Sequence, residues 1–248
     1  MIETRNLSKT FYDRKRGEVK AVNEVSFICR PGEIFGLLGA NGAGKTTTLR
    51  MLATILQATS GEASVAGYDV TKHPEKVRAN IGFLSSSTAL YGRLSAREMI
   101  EYFGRLYGLP EEVINRRIDE IIDTLDMKDF AEARCDKLST GQKQKVSIAR
   151  SIIHEPRVMI FDEPTTGLDV MTSRTIMRFI RRCRQEGRTV IFSTHIMSEA
   201  ERLCDRIAVI HNGRICATGT IDELRQMTGK SALESVFLAL VGESDESL

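Results

Sequence analysis

The sequence predicts an α/β protein with a mainly parallel core sheet, an antiparallel β-subdomain and a helical subdomain. Three patterns carry this. A short apolar run, Ile34 to Leu38, enters a glycine-rich turn and then a helix-period segment. Helical periodicity runs almost unbroken from Ser95 to about Ile153. After Val158 apolar runs and helical segments alternate, the order that gives parallel strands covered by helices on both faces.

In chain order, Ile2 to Leu7 and Ala21 to Cys29 alternate as strands, and the charged segment Tyr12 to Lys20 between them reads as the loop of an antiparallel pair. Ile34 to Leu38 is a fully buried strand, and Leu49, Leu52 and Leu56 mark a helix from Lys45 to Leu56. Ile81 to Leu84 is a strand leading into a small polar loop, Ser85 to Thr88. In the helical stretch, Met99, Ile100, Phe103 and Leu106 form one stripe and Ile114, Ile118, Ile121, Ile122 and Leu125 another, with Gly108-Leu109-Pro110 as the break. Val158 to Phe161 and Thr189 to Phe192 are buried strands, with helices at Thr172 to Gln185 and near Met197 to Leu203. Ile207 to Ile210 and Arg214 to Ala217 flank Asn212-Gly213, a two-residue hairpin signal. Ser231 to Leu240 reads as an apolar helix before an acidic tail from Gly242.

The 248 residues suit one domain, with 1–85 and 155–228 forming the core and its antiparallel subdomain, 86–154 the helical subdomain, and 229–248 a terminal helix and tail. A net charge of +2 gives no single-sign field for wholesale attraction to nucleic acid or anionic membrane. A composition of 42% hydrophobic and 27% charged residues excludes a disordered chain, and a run of about 18 uncharged apolar residues, which a membrane span requires, is not found. The first residues lack a secretory layout, so the expected place is the cytoplasm. Cys29, Cys135, Cys183, Cys204 and Cys216 form no CxxC pair and read as small buried apolar residues.

Gly39-Ala40-Asn41-Gly42-Ala43-Gly44-Lys45-Thr46 fits G-x-x-x-x-G-K-[ST] between a buried strand and a helix, the phosphate loop of a P-loop NTPase. Its glycines would let backbone N–H groups curl around phosphate oxygens, Lys45 would neutralise the β and γ phosphates, and the Thr46 hydroxyl would ligate Mg²⁺. A second apolar strand ends in Asp162-Glu163. Ligands bind at the carboxyl ends of parallel strands, so Asp162 is the candidate for holding Mg²⁺ and Glu163 for polarising the attacking water. Ser139, with Thr140, Gly141 and Gln142, opens a helix, and such a start is either a good cap or an anion site.

Taken together these motifs resemble the nucleotide-binding subunit of an ABC transporter, over essentially the full chain. Leu138 to Gln142 is similar to that family's LSGGQ signature, with Thr140 in place of its first glycine. Asp169, in Thr166-Gly167-Leu168-Asp169, matches the D-loop, and His195 after a buried strand matches the switch histidine. Phe11, with Tyr12 beside it, resembles the aromatic that stacks on adenine, core packing being the other reading. The resemblance implies an ATPase using ATP and Mg²⁺ that works as a head-to-tail dimer. ATP held at Gly39 to Thr47 of one copy, Thr46 and Thr47 included, is closed by Ser139, Gly141 and Gln142 of the other. It also implies a separate transmembrane permease docking near Ser86 to Tyr107, and hence a place on the cytoplasmic face of the membrane. Phe83, Leu90, Tyr91, Leu94 and Tyr102 read equally as docking face or as core. Where the family has a Mg²⁺-sensing Gln, this chain aligns Ser86, too short to span the same distance. The stretch from Ile81 to Ser95 is similar to the NatA-like sodium-export subgroup, and drug and antibiotic exporters share much of it.

The alternative is a soluble ATPase of this family acting on ribosomes or nucleic acid. Its basic clusters, Arg14 to Arg16 and Arg178, Arg181, Arg182 and Arg184, carry no interleaved aromatics for base stacking, so nucleic acid is not expected as a partner. A non-catalytic nucleotide sensor is disfavoured by intact Lys45, Asp162, Glu163 and His195.

Overall fold

A computed structural model describes residues 1–13, 17–85 and 89–242. The chain begins with β1 (Ile2–Asp13), β2 (Gly17–Cys29) and β3 (Ile34–Leu38), then α1 (Lys45–Leu52), β4 (Ser60–Val65), β5 (Tyr68–Asp69), α2 (Pro74–Asn80) and β6 (Ile81–Ser85). The helical stretch follows as α3 (Ala96–Leu106), α4 (Glu111–Thr124) and α5 (Thr140–Ile152), with single 3₁₀ turns between the last two. Next come β7 (Val158–Asp162), α6 (Val170–Gln185), β8 (Thr189–Thr194) and α7 (Met197–Leu203). The chain closes with β9 (Arg206–His211), β10 (Arg214–Gly219), α8 (Ile221–Thr228) and α9 (Leu233–Val241).

Among the described residues these strands make two sheets. One has the order β10-β9-β3-β8-β7-β6 and is parallel except for β10, while the other is antiparallel in the order β2-β1-β4-β5. The parallel sheet is covered on both faces, as its apolar runs require. Met159 and Phe161 of β7 pack on one side with Ile100, Ile148 and Phe179, whereas Val158 and Ile160 pack on the other with Leu49, Met51 and Leu52. Register gathers the carboxyl ends: Leu38 lies opposite Thr194, and Asp162 lies opposite both Ser193 and Ser85. With parallel neighbours about 4.8 Å apart, the loops leaving β3, β8 and β7 fall within reach of one another.

Several boundaries differ from expectation. The helix after the glycine turn stops at Leu52, because Thr54 turns left-handed (φ 62°) and the Ile55 N–H bonds back to the Arg50 carbonyl; Leu56 instead packs from the following loop. The expected loop Tyr12 to Lys20 is largely strand, with Asp13 paired to Gly17, and the basic residues 14–16 lie outside the described residues. The short elements β4, β5, α2 and α8 escaped periodicity, which needs longer windows. α8 is nonetheless announced by a reciprocal cap between Thr220 and Glu223. Cys216 is exposed on β10, while Cys29, Cys135, Cys183 and Cys204 are buried. The acidic tail beyond Gly242 lies outside the described residues. No helix among the described residues is long and apolar enough to cross a membrane.

Candidate functional site

The phosphate-loop segment is braced from three sides. The Gly39 N–H donates to the Thr194 carbonyl at 3.3 Å, and the hairpin glycine Gly213 donates its N–H to the Ala43 carbonyl at 2.9 Å. From β2, the Ala21 carbonyl closes in so far that a Cβ on Gly44 would lie 2.5 Å from its oxygen, and Gly44 has φ +107°. Only glycine satisfies both conditions. Gly44 is the N-cap of α1 and supplies no side-chain cap, so the first N–H groups of the helix, at Lys45, Thr46 and Thr47, are left for a ligand. They border a cavity of about 240 Å³ lined also by Asn41, Gly42, Asp162 and Glu163. A larger cavity of about 520 Å³ lies at the opposite strand ends, around Met1, Arg157 and Thr189, and holds none of these groups.

The strand ends assemble the charged side chains. Asp162 is 1% exposed, and its Oδ1 accepts from Thr46 Oγ1 at 3.1 Å and from Ser193 Oγ at 2.8 Å. Glu163, next in sequence, takes a left-handed backbone (φ 49°) that is costly for a residue with a side chain. Its N–H is held by Ser193, at 3.2 Å from the carbonyl and 3.1 Å from the hydroxyl. Glu163 Oε1 lies 3.1 Å from Lys45 Nζ, which also donates to the Gly39 and Ala40 carbonyls at 2.7 and 3.0 Å. Glu163 Oε2 accepts from Thr166 Oγ1 at 3.3 Å and lies 3.2 Å from His195 Nδ1, which is close enough for ion pairing but off the line of a hydrogen bond. Burial pushes the Glu163 carboxyl up, and Lys45 together with His195 outweighs it, holding the group below the usual carboxylate range. Glu163 is therefore ionised at neutral pH, the state in which it can accept a proton.

The signature segment stands apart from this cluster. Ser139 caps α5 in a reciprocal box, its Oγ accepting from the Gln142 N–H at 3.3 Å while Gln142 Oε1 accepts from the Ser139 N–H at 2.9 Å. Gly141 packs against the start of α6, where a Cβ would meet Thr172 Oγ1 at 2.9 Å. Thr172 Oγ1 in turn donates to Asp169 Oδ2 at 2.7 Å, and Asp169 caps α6 by accepting the N–H groups of Met171 and Thr172. Hydrogen bonds, first that from the Thr172 N–H, hold the Asp169 carboxyl low. Ser139, Gly141, Gln142 and Asp169 do not line the 240 Å³ cavity.

The family profile described as ABC transporter matches residues 22–166, more than half of the chain. The chain belongs to the ABC transporter family. The ABC transporter ATP-binding protein NatA of Bacillus subtilis is 42% identical over 96% of this chain and 97% of its own length. The linearmycin resistance ATP-binding protein LnrL of the same organism is 32% identical, over 98% of this chain and 77% of its own. A solved ATP-binding subunit of an ABC transporter superposes with a TM-score of 0.87 at 29% identity, covering 97% of this chain and 99% of that one. A dimeric ATP-binding cassette, MJ0796, in a post-hydrolysis state bound to ADP and Pi, superposes with a TM-score of 0.81 at 26% identity, covering 89% and 99%. The protein is thus an ABC ATPase.

Other features of this ABC ATPase are spread over its surface. Phe11 lies on β1 opposite Val19, 40% exposed, with Lys9 Nζ 5.2 Å from its ring centre, and Tyr12 is 83% exposed. Ser86 lies outside the described residues. Earlier in the chain, on β6, Phe83 lines a groove of about 310 Å³ with Ile55, Ile81, Phe103, Tyr107 and Arg150. Leu90 and Leu94 pack on the core, while Tyr91 and Tyr102 are exposed and meet edge to face at 5.6 Å. Sequence reasoning missed Ser193 and Ala21. Ser193 is one of three hydroxyl residues in the buried β8, with Thr189 and Thr194, and only its register opposite Asp162 singles it out, whereas Ala21 contributes a backbone carbonyl that no residue type announces.

Proposed function

We propose that this ABC ATPase is the motor of an exporter, binding and hydrolysing Mg²⁺-ATP to drive a separate membrane permease through closure of two copies head to tail. The observation that carries the reading is the cluster of Lys45, Asp162, Glu163 and His195 around the uncapped start of α1. Backbone N–H groups of Gly42 to Thr47 and the Lys45 ammonium suit a triphosphate. The Thr46 hydroxyl and Asp162 carboxylate are hard oxygen donors suited to Mg²⁺, which when bound neutralises charge on the phosphates. Glu163 accepts the proton of the attacking water as its oxygen bonds to the γ-phosphorus, and the bond to the β,γ-bridging oxygen breaks with its electron pair leaving on ADP. His195, 3.2 Å from Glu163, is the candidate for reaching the γ-phosphate beside the attacking water. Phe11, with Tyr12 next to it, offers its exposed ring to adenine.

Ser139, Gly141 and Gln142 lie off the cavity in their own chain, which supports delivery of that capped helix start to a second copy's nucleotide, with Asp169 at the same seam. The groove by Phe83, with the exposed Tyr91 and Tyr102, supports docking of the permease on this face at the membrane's cytoplasmic side. Sodium ions are the first cargo to test, on the resemblance of the stretch from Ile81 to Ser95. Nucleic acid is disfavoured as a partner, because Arg178, Arg182 and Arg184 are ion-paired with Asp126, Glu186 and Asp205 of the same chain.

The test is Glu163→Gln. The wild type is expected to hydrolyse ATP and the variant to lose hydrolysis by about 100-fold or more, while running as a dimer with ATP and as a monomer without it by light scattering. A variant that stays monomeric at saturating ATP, with or without the permease, would sink the reading.

A further inference from the structure

The backbone at Glu163 is held from both sides. Upstream, Ser193 binds the Glu163 N–H. Downstream stands Pro164, buried and without an N–H, whose carbonyl receives no backbone donor among the described residues. Its partner is Gln144 on α5, whose Nε2 donates to the Pro164 carbonyl at 2.8 Å. A buried carbonyl needs a donor, and a left-handed residue persists only where its surroundings over-determine it.

We propose that Gln144 is a positioning residue for hydrolysis: by fixing the Glu163-Pro164 segment to α5, it aims the Glu163 carboxylate and ties that aim to the helix whose start bears Ser139, Gly141 and Gln142. The inference rests on the roles given above to Glu163 and to the α5 start. In a head-to-tail pair the start of α5 seals the partner's nucleotide while Glu163 serves its own. The Gln144 amide is then a mechanical link between the two sites. A second contact runs parallel to it, since Gly141 abuts Thr172 in the first turn of α6, the helix that follows the same loop. The Ser139–Gln142 box closes on itself and does not depend on Gln144, so removing the amide leaves the seal in place.

The experiment compares Gln144→Met, a good helix former of similar length that cannot donate, with Gln144→Lys, whose Nζ can donate to the same carbonyl. For Gln144→Met we expect kcat to fall about tenfold with KM for ATP within about twofold of wild type, and Gln144→Lys to recover most of that loss. The pair Glu163→Gln/Gln144→Met should still dimerise with ATP. The inference is overturned by wild-type kcat in Gln144→Met. It is equally overturned by parallel changes in kcat and KM with a lowered melting temperature and no recovery in Gln144→Lys, the pattern of a merely structural residue. Wild-type hydrolysis that survives Glu163→Gln overturns the role of Glu163 itself, and that outcome is distinct from Glu163-dependent hydrolysis indifferent to Gln144.

Discussion

Lys45 Nζ and Glu163 Oε1 lie 3.1 Å apart, so the cation of the phosphate loop and the carboxylate after β7 form one electrostatic unit. Lys45 is almost wholly buried. Burial alone raises the Glu163 pKa, and Lys45 is the first influence that reverses it. Because the folded carboxyl titrates below its unfolded value, the stabilisation is complete above the unfolded pKa and is lost as pH falls through the folded one. In Lys45→Met the burial remains and the cation is gone. The Glu163 carboxyl carbon, followed by NMR, should titrate at higher pH than in wild type, and the part of the acid loss of thermal stability that Glu163 contributes should shrink, because a folded pKa brought up toward the unfolded one leaves less stabilisation to lose as pH falls. Unchanged titration would mean that Lys45 does not govern this carboxylate.

Two glycines of the loop should fail for different reasons. Gly42 has φ +82° with open space around its Cβ position, so Gly42→Ala meets only backbone strain, on the order of 1–2 kcal/mol. Gly44 adds a steric conflict, 2.5 Å from the Ala21 oxygen of β2. Gly44→Ala is expected to cost about 3 kcal/mol or more and to displace α1 from the loop. A fluorescent ATP analogue should then bind Gly44→Ala at least about 100-fold more weakly, with a far smaller loss in Gly42→Ala. Equal losses would show that strain, and not the approach of β2, sets the requirement.

The sequence made the site's strands legible because chemistry and hydrophobicity coincide there: β3 is a short apolar run that leads straight into Gly39, and β7 is one that ends in Asp162. The cap at Ser139 was legible for the same reason, since both partners of its box lie within four residues. What stayed hidden depends on pairing across the sheet. Ser193 matters because parallel register sets it opposite Asp162, and Gly44 meets Ala21 because β2 passes over the loop. The left-handed turn at Glu163 was hidden too, because a glutamate gives no local sign of it. Thr54 likewise ended α1 early although Leu56 kept the helical spacing.

Ser193→Ala tests that hidden pairing. The hydroxyl donates to Asp162 Oδ1 at 2.8 Å and accepts from the Glu163 N–H at 3.1 Å, in a fully buried position. Removing it leaves Asp162 with the Thr46 hydroxyl alone from this pair and loosens the Glu163 peptide. We expect a loss of about 1–3 kcal/mol in urea unfolding, and a fall in kcat with little change in ATP affinity. Wild-type stability in this variant would show that the hydroxyl is replaceable by its neighbours.

Gly141→Ala sets helix propensity against contact. Near the first turn of α5, alanine is favoured over glycine by up to about 1 kcal/mol, so the isolated helix should gain. The added methyl, however, would lie 2.9 Å from Thr172 Oγ1 and 3.0 Å from Thr172 Cγ2. Thr172 cannot yield without weakening its 2.7 Å hydrogen bond to Asp169 Oδ2, which helps cap α6. Overpacking of this kind costs about 1–3 kcal/mol, more than the propensity returns. Thermal unfolding should therefore show Gly141→Ala destabilised, and ATP-dependent dimerisation in the Glu163→Gln background weakened with it. Thr172→Ala removes both offending atoms, so the two changes together should cost less than the sum of each alone, with a coupling of about 0.5–3 kcal/mol in the double-mutant cycle. Strict additivity would show that contact with Thr172 is not the origin of the Gly141 requirement.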